Sequence, residues 1–346
     1  MTSNQASIDE GRAMLYVVGD VHLRSEEPFF SAIEEFLSDL LSGCDADDCL
    51  IFTGDFFHRA RPYSEELKFA REFFERCKSK KVKVIILAGN HEYFRDRGTW
   101  AEDVFDKYDI EFITSPSIKW LHNVQIIFLP WMPASQMQKE LGVRDMKSYY
   151  AEKLPGMVKL LHKGKNTYAI YHFEDETVFA GIEDIGVDLS CLENKFDGPI
   201  TKLGGHIHNP SKNYIGAPYA TRRDETGFDR RVAKIDPETE SCEFIEVPTK
   251  IEFKTLLFDE LKEQKYGNGI KYIIKILDAP SFEAVKSYVD SKPNIWLDDY
   301  ELKFNEERTV LEDKGDALES VRDFLELYIK QNKIDPDTAN YLLSVF

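Results

Sequence analysis

Four short clusters in this chain carry the residue types that bind divalent metal ions: Gly19-Asp20-Val21-His22, Gly54-Asp55-Phe56-Phe57-His58, Gly89-Asn90-His91-Glu92 and Gly204-Gly205-His206-Ile207-His208. Six of the eight histidines lie in these clusters or, as His172, end a β-type run. A lone Gly-Asp step or a single histidine more often marks a turn or a packed side chain, whereas four such clusters point to a shared site. A pair of borderline divalent ions takes imidazole nitrogens and carboxylate or amide oxygens, with one bridging carboxylate between ions about 3.5–4 Å apart. Asp55 is the candidate bridge, and Asp20, His22, Asn90, His172, His206 and His208 complete the candidate ligand set. Alternation in extended chain puts Asp20 and His22 on one side, and likewise His206 and His208, so each pair can approach a common metal. His172 is preferred over His122, in a hairpin turn, and His162, in the polar end of a helix, because it follows a strand. Two metals clamp a phosphoester, lower the pKa of a bound water and neutralise developing charge. His91 follows Asn90 directly and points elsewhere, available to orient the phosphate or protonate the leaving oxygen.

The elements that must position these clusters are strands that end where the clusters begin. Apolar runs over residues 14–18, 50–53 and 82–87 alternate with helix-period stretches over 29–41 and 64–77. That rhythm predicts βαβ units and a largely parallel sheet, which places ligands at the carboxyl ends of its strands. Residues 118–121 and 124–129 read as a hairpin around a His-Asn turn, followed by one helical stretch over about 134–161. Further strands are expected at 167–171, 202–207 and 231–235. A composition shift near Pro248 marks a boundary, beyond which residues 251–304 suggest a small α+β unit and the chain from Gly315 onward reads as two short amphipathic helices.

Composition narrows the function classes. The 346 residues are 42% hydrophobic and 13% aromatic, as in an ordinary globular protein. No run approaches 18 consecutive apolar residues and the first twelve are polar, so neither a spanning helix nor a secretory signal is expected and the reading is cytoplasmic. Cys44, Cys49, Cys77, Cys191 and Cys242 are odd in number and form no CxxC pair, which argues against a disulfide framework or a thiolate zinc site. A net charge of -18 is awkward for unaided binding of a polyanion, so a nucleic-acid role must lean on metals, a local basic surface or a partner. Basic groups do occur over residues 78–83 and 159–165, and at Arg222, Arg223, Arg230, Arg231 and Lys234. The last group, close after His206 and His208, is the expected contact with a nucleic-acid backbone.

The clusters, in this order, resemble those of the calcineurin-like metallophosphoesterase superfamily over about residues 14–235. The continuation Phe56-Phe57-His58-Arg59-Ala60-Arg61-Pro62 is similar to the SbcD nucleases, bacterial and phage relatives of the nuclease in the eukaryotic MRN repair complex. Protein phosphatases carry Asp-Arg-Gly at the equivalent step. The resemblance implies a four-layer α/β/β/α sandwich over residues 1–248, a DNA-capping α+β domain over 249–312 and a helical ATPase-binding segment over 313–346. It implies that Asp20, His22, Asp55, Asn90, His172, His206 and His208 hold two manganese ions, or magnesium in their place. His58 and His91 match the non-ligand histidines that contact phosphate and assist catalysis. The implied activity is duplex exonuclease and single-strand endonuclease action on DNA in double-strand break processing, recombination and repair. The implied partner is an SbcC-type ABC ATPase, with a homodimer inside a heterotetramer, in a bacterial cell or a phage-infected host. Helices over 29–41 and 64–77 are the candidate dimer contacts. Two other readings remain open: a phosphatase or phosphodiesterase for a small-molecule or protein substrate, and an inactive scaffold that only binds the ATPase.

Overall fold

A computed structural model describes residues 12–93, 102–176, 186–248 and 250–302. In chain order the elements are β1 (Leu15–Val18), α1 (Phe29–Ser42), β2 (Cys49–Phe52), α2 (Ser64–Lys80), β3 (Lys83–Leu87), α3 (Glu102–Lys107), β4 (Glu111–Ile113), β5 (Ser117–Leu121) and β6 (Val124–Leu129). They continue with α4 (Ala134–Leu141), α5 (Met146–Val158), β7 (Thr167–His172), α6 (Ser190–Lys195), β8 (Ile200–Gly205), β9 (Arg230–Asp236) and β10 (Ser241–Val247). The last are β11 (Ile251–Leu256), α7 (Phe258–Glu263), β12 (Lys271–Ala279), α8 (Phe282–Asp290) and β13 (Ile295–Leu302). The helices expected beyond residue 312 lie outside the described residues.

Period-2 alternation of apolar residues builds two sheets and four layers. In β1, Leu15 and Val17 face one way and Tyr16 and Val18 the other; β2 and β3 repeat this with Cys49, Ile51, Ile85 and Leu87 against Leu50, Phe52, Val84 and Ile86. The first set meets Val124, Ile126 and Phe128 of β6 and Tyr168 and Ile170 of β7, forming a core between a six-stranded sheet and a four-stranded sheet. The second set packs under α1, α2 and α3, with Phe36, Phe73, Phe74 and Phe105 buried. Ile127, Leu129, Ala169 and Tyr171 face the other outer layer, α4, α5 and α6. Each fully buried Phe or Leu in these layers contributes about 1.5–3 kcal/mol relative to exposure. The resulting α/β/β/α sandwich is the expected fold class.

The sheets run in the order β10-β9-β1-β2-β3-β4 and β5-β6-β7-β8. β1 to β4 are parallel, and so are β6, β7 and β8, so both sheets send the carboxyl ends of their central strands toward one edge. β9 and β10 are antiparallel, so the sheet is mixed rather than wholly parallel. The helical stretch expected over 134–161 is two helices. Gly142, at φ 76°, ends α4 in the left-handed region, and Asp145 Oδ1 accepts Ser148 N at 2.7 Å to start α5.

Residues 251–302 form a three-stranded parallel sheet, β11-β12-β13, covered by α7 and α8 around Leu261, Ile274, Ile276 and Val285. Its other face is not independent: Ile251, Phe253 and Ile273 join the core under α1. Glu35 of α1 also pairs with Lys271 at 2.7 Å and Lys250 at 3.4 Å.

Candidate metal centre

All seven candidate ligands converge at the shared carboxyl edge: Asp20 and His22 follow β1, Asp55 follows β2, Asn90 follows β3, His172 ends β7, and His206 and His208 follow β8. Most stand past the strand ends, where alternation no longer governs direction. His22 (φ 48°), Asp55 (φ 48°) and His206 (φ 74°) occupy the left-handed backbone region, which turns each side chain inward. His206 and His208 therefore separate. His22 Nε2 faces His208 Nε2 at 2.9 Å, while His206 Nδ1 lies 3.0 Å from Asn90 Oδ1, itself 3.1 Å from His172 Nε2. Asp55 Oδ2 lies between the two groups, 3.8 Å from His22 Nε2 and 3.3 Å from His172 Nε2. Asp20 Oδ1 accepts His206 N at 2.9 Å and lies 3.3 Å from His172 Nδ1.

The glycines that open the clusters make room for these ligands. A Cβ on Gly89 would stand 2.1 Å from Asp55 Oδ1, and one on Gly54 would stand 2.2 Å from His172 Nδ1. Gly54 also has φ 120°, which favours glycine on its own account.

The donor set suits divalent cations. Two imidazole nitrogens 2.9 Å apart must share a proton or a cation, and Asp20 Oδ2 and His22 Nδ1 are buried with no hydrogen-bond partner in the protein. Mixed imidazole and carboxylate donors fit borderline ions such as manganese, iron or zinc. His22, His208, Asp20 and Asp55 could hold one ion, and Asn90, His172, His206 and Asp55 a second. Charge in the protein alone is arranged to match. Burial and the neighbouring imidazoles hold His22 well below its usual pKa. Burial works against charging His172, but Asp55, Asp20 and Glu92 outweigh it and raise its pKa to about 10. Asp55 is buried too, yet the His172 and His22 imidazoles keep it ionised far below the usual carboxylate range.

Three acidic residues orient these groups, and none was identified from sequence as functional. Buried Glu92 accepts Gly89 N at 2.7 Å and Asp55 N at 2.9 Å, fixing the backbone of two clusters; burial and the Asp55 charge raise its pKa to about 8. Glu174 Oε1 lies 2.9 Å from His206 Nε2, and Glu225 Oε1 lies 2.8 Å from His208 Nδ1. Burial opposes ionisation of Glu225, but the His208 hydrogen bond holds its pKa down to about 2. Carboxylates behind ligating imidazoles set tautomer and ring direction. Only Glu92 carried a sequence signal, standing in a glycine-opened cluster; Glu225 comes 17 residues after His208 in a loop.

His58 and His91 flank the centre. His91 Nδ1 is 2.5 Å from His58 O, its backbone N donates to Asp55 Oδ1 at 2.8 Å, and its Nε2 is 4.0 Å from Asp55 Oδ2. The His58 ring is 5.5 Å from those of His22 and His91, and burial together with the Arg24 charge lowers its pKa to about 4. Both line a cleft of about 180 Å³ with Arg24, Thr221 and Arg222. Arg24, stacked 3.3 Å over the Phe29 ring, was not anticipated.

The arginine group expected to grip nucleic acid is mostly engaged elsewhere. Arg230 donates to His208 O at 2.7 Å and Arg231 to Tyr214 O at 2.8 Å, so both brace the His208 loop. Arg223 reaches the three-stranded sheet, and Lys234 pairs with Glu243 at 3.7 Å. Arg222 alone of the group lines the cleft, with its side chain 71% exposed. The other basic groups are solvated faces holding ion pairs, such as Lys78 with Asp109 at 2.7 Å and Lys165 with Glu240 at 2.9 Å.

The DNA double-strand break repair protein Mre11 of Methanocaldococcus jannaschii is 24% identical over 131 residues, 37% of this chain and 36% of that protein. The protein of the same name from Methanopyrus kandleri is 36% identical over 88 residues, 23% of this chain and 19% of that protein. The chain thus spans about a third or less of the curated relatives it matches. A protein of unknown function from Aquifex aeolicus aligns over 54% of this chain and 88% of its own, at 17% identity and a TM-score of 0.30, too low to carry an argument. Among the described residues no helix is long and apolar enough to cross a membrane. The calcineurin-like phosphoesterase model matches residues 14–210, which is more than half of the chain and includes all seven candidate ligands. This protein belongs to the calcineurin-like phosphoesterase family, whose members bind divalent metals and hydrolyse phosphoesters.

Proposed function

We propose that this protein is an SbcD-type DNA nuclease that hydrolyses phosphodiesters with two divalent ions, most readily manganese. The observation that carries the two-metal reading is Asp55 Oδ2 standing between the His22–His208 pair and the Asn90–His172–His206 group. Asp20, His22, Asp55 and His208 would hold one ion, and Asp55, Asn90, His172 and His206 the other. The chemistry such ions supply when bound is activation of water and neutralisation of phosphoryl charge. The chain's own residues do the rest. His91 donates through Nδ1 to His58 O, which leaves Nε2 toward the cleft; as the imidazolium the ring would donate from Nε2 to the phosphate or pass that proton to the leaving oxygen and return to the neutral Nδ1–H form. His58 is neutral near pH 7 and contacts a phosphate oxygen as an N–H donor.

DNA as substrate is supported by the two Mre11 matches and by Arg24 and Arg222 in the cleft. In this reading the protein cuts duplex ends and single strands in break processing, recombination and repair, as a homodimer joined to an SbcC-type ABC ATPase. Residues 1–248 form the nuclease domain and 249–312 a DNA-capping domain. Residues 313–346, outside the described residues, dock on the ATPase. The test is cleavage of end-labelled duplex and hairpin DNA with manganese, compared with p-nitrophenyl phosphate. Metal-dependent shortening of the DNA is expected. Turnover of the small ester with intact DNA would favour a small-molecule or protein phosphate substrate, and no turnover of either would favour an inactive scaffold.

A further inference from the structure

Arg223 stands in the loop between His208 and β9, and its side chain leaves the cleft for the three-stranded sheet. Nη1 donates to Lys254 O at 2.8 Å and to Thr255 Oγ1 at 3.0 Å, while Nη2 donates to the Asp298 carboxylate on β13. Its Cζ lies 5.6 Å from the Phe253 ring centroid. One planar guanidinium thus joins β11 to β13 and holds both to the loop, a forked geometry that lysine does not reproduce.

The same loop carries the support of a metal-site histidine. Arg223 opens a single 3-10 turn, Arg223–Glu225. At the end of that turn Glu225 lies 2.8 Å from His208 Nδ1 through Oε1 and accepts Thr221 N at 2.7 Å through Oε2. Thr221 Oγ1 is itself 3.0 Å from His208 Nδ1. Arg230 closes the other side, donating to His208 O and Glu225 O. Few torsions lie between the Arg223 backbone and the Glu225 carboxylate.

We infer that Arg223 is a positioning residue that ties the ligand geometry of His208 to the α+β unit of residues 251–302, so that a load on that unit changes metal affinity. The inference rests on the proposed metal role of His208. It differs from a general staple between two layers, because the Glu35 pairs already join the unit to α1 without approaching the centre.

The test is calorimetric titration of the full chain with manganese for the wild type, Arg223→Ala, Asp298→Asn and the double variant. Asp298 touches no candidate ligand and accepts from Arg223, so the loop offers an effect there a route to the centre. Wild type is expected to bind two ions. Arg223→Ala and Asp298→Asn should each weaken one of them about tenfold, the usual scale for removing support behind a ligand. The double variant should be no weaker than Arg223→Ala, because both changes cut one connection. Affinities within twofold of wild type for either single variant, or additive losses in the double variant, overturn the inference. Should Arg223→Ala fail to show a cooperative thermal transition, Arg223→Lys replaces it under the same criteria. A wild type that fails to bind two ions sinks the metal reading itself, before any variant is compared.

Discussion

At the residue scale, the proposed function turns on which nitrogen each histidine leaves for a metal ion or the substrate. His172 and His208 have their Nδ1 atoms engaged by Thr53 O and Glu225, and each turns Nε2 inward; His206 is reversed, with Nδ1 toward Asn90 and Nε2 toward Glu174. His91 resembles the first two in tautomer but faces the cleft. His91→Asn is therefore expected to retain both metal ions by calorimetry while losing about 10²–10⁴-fold in turnover of DNA. Full turnover with both ions bound would remove His91 from the chemistry. The convergence of the seven candidate ligands was legible because metal chemistry limits the residue types, six of them stand in clusters that open with a glycine, and His172 ends a strand. Glu174 and Glu225 were not, since an acidic residue in a loop looks like any solvated one until the fold aims it at an imidazole nitrogen. Arg24 was invisible for the same reason, and the Arg223 and Arg230 side chains were misassigned because sequence proximity to His208 says nothing about which way a guanidinium points.

At the element scale, the precision of the centre depends on the rigidity of the layer under β2 and β3. Phe74 of α2 is fully buried against Phe56, which directly follows Asp55, and against Phe105 of α3. Phe74→Ala should cost about 3–5 kcal/mol in urea unfolding, an amount typical of an emptied aromatic site. A loss under about 1 kcal/mol would mean that this layer relaxes freely and does not brace the Asp55 loop. Elements with continuous apolar runs, such as β1, β2 and β3, or helical apolar periods, such as α1 and α2, were readable nearly to the residue. β10 was missed because it is an edge strand with Glu243 and Glu246 exposed beside Phe244 and Ile245, so neither face carries an apolar code. The break between α4 and α5 was present in Gly142 and Asp145 but was overridden by the surrounding helical period.

At the scale of the whole molecule, an acidic chain is asked to handle a polyanion. The cleft presents two guanidinium groups, Arg24 and Arg222, against a formal net charge of -18. Counterion release then predicts shallow salt dependence for DNA binding by the isolated protein. The slope of log affinity against log salt should be about -2 for two neutralised phosphates, measured by fluorescence anisotropy in manganese-free buffer. A slope steeper than about -5 would reveal an extended basic surface and contradict the division of labour in which a partner supplies the grip. The left-handed residues of the centre carry a further consequence for the history of the chain. His22, Asp55 and His206 each hold a backbone conformation costing an L-residue of order 1–3 kcal/mol, which glycine would occupy without penalty. In a lineage freed from its chemistry, mutation at these positions would be rewarded with a sturdier fold. Decay would then begin at these candidate ligands, where an inward-held side chain is set against the stability of the backbone beneath it.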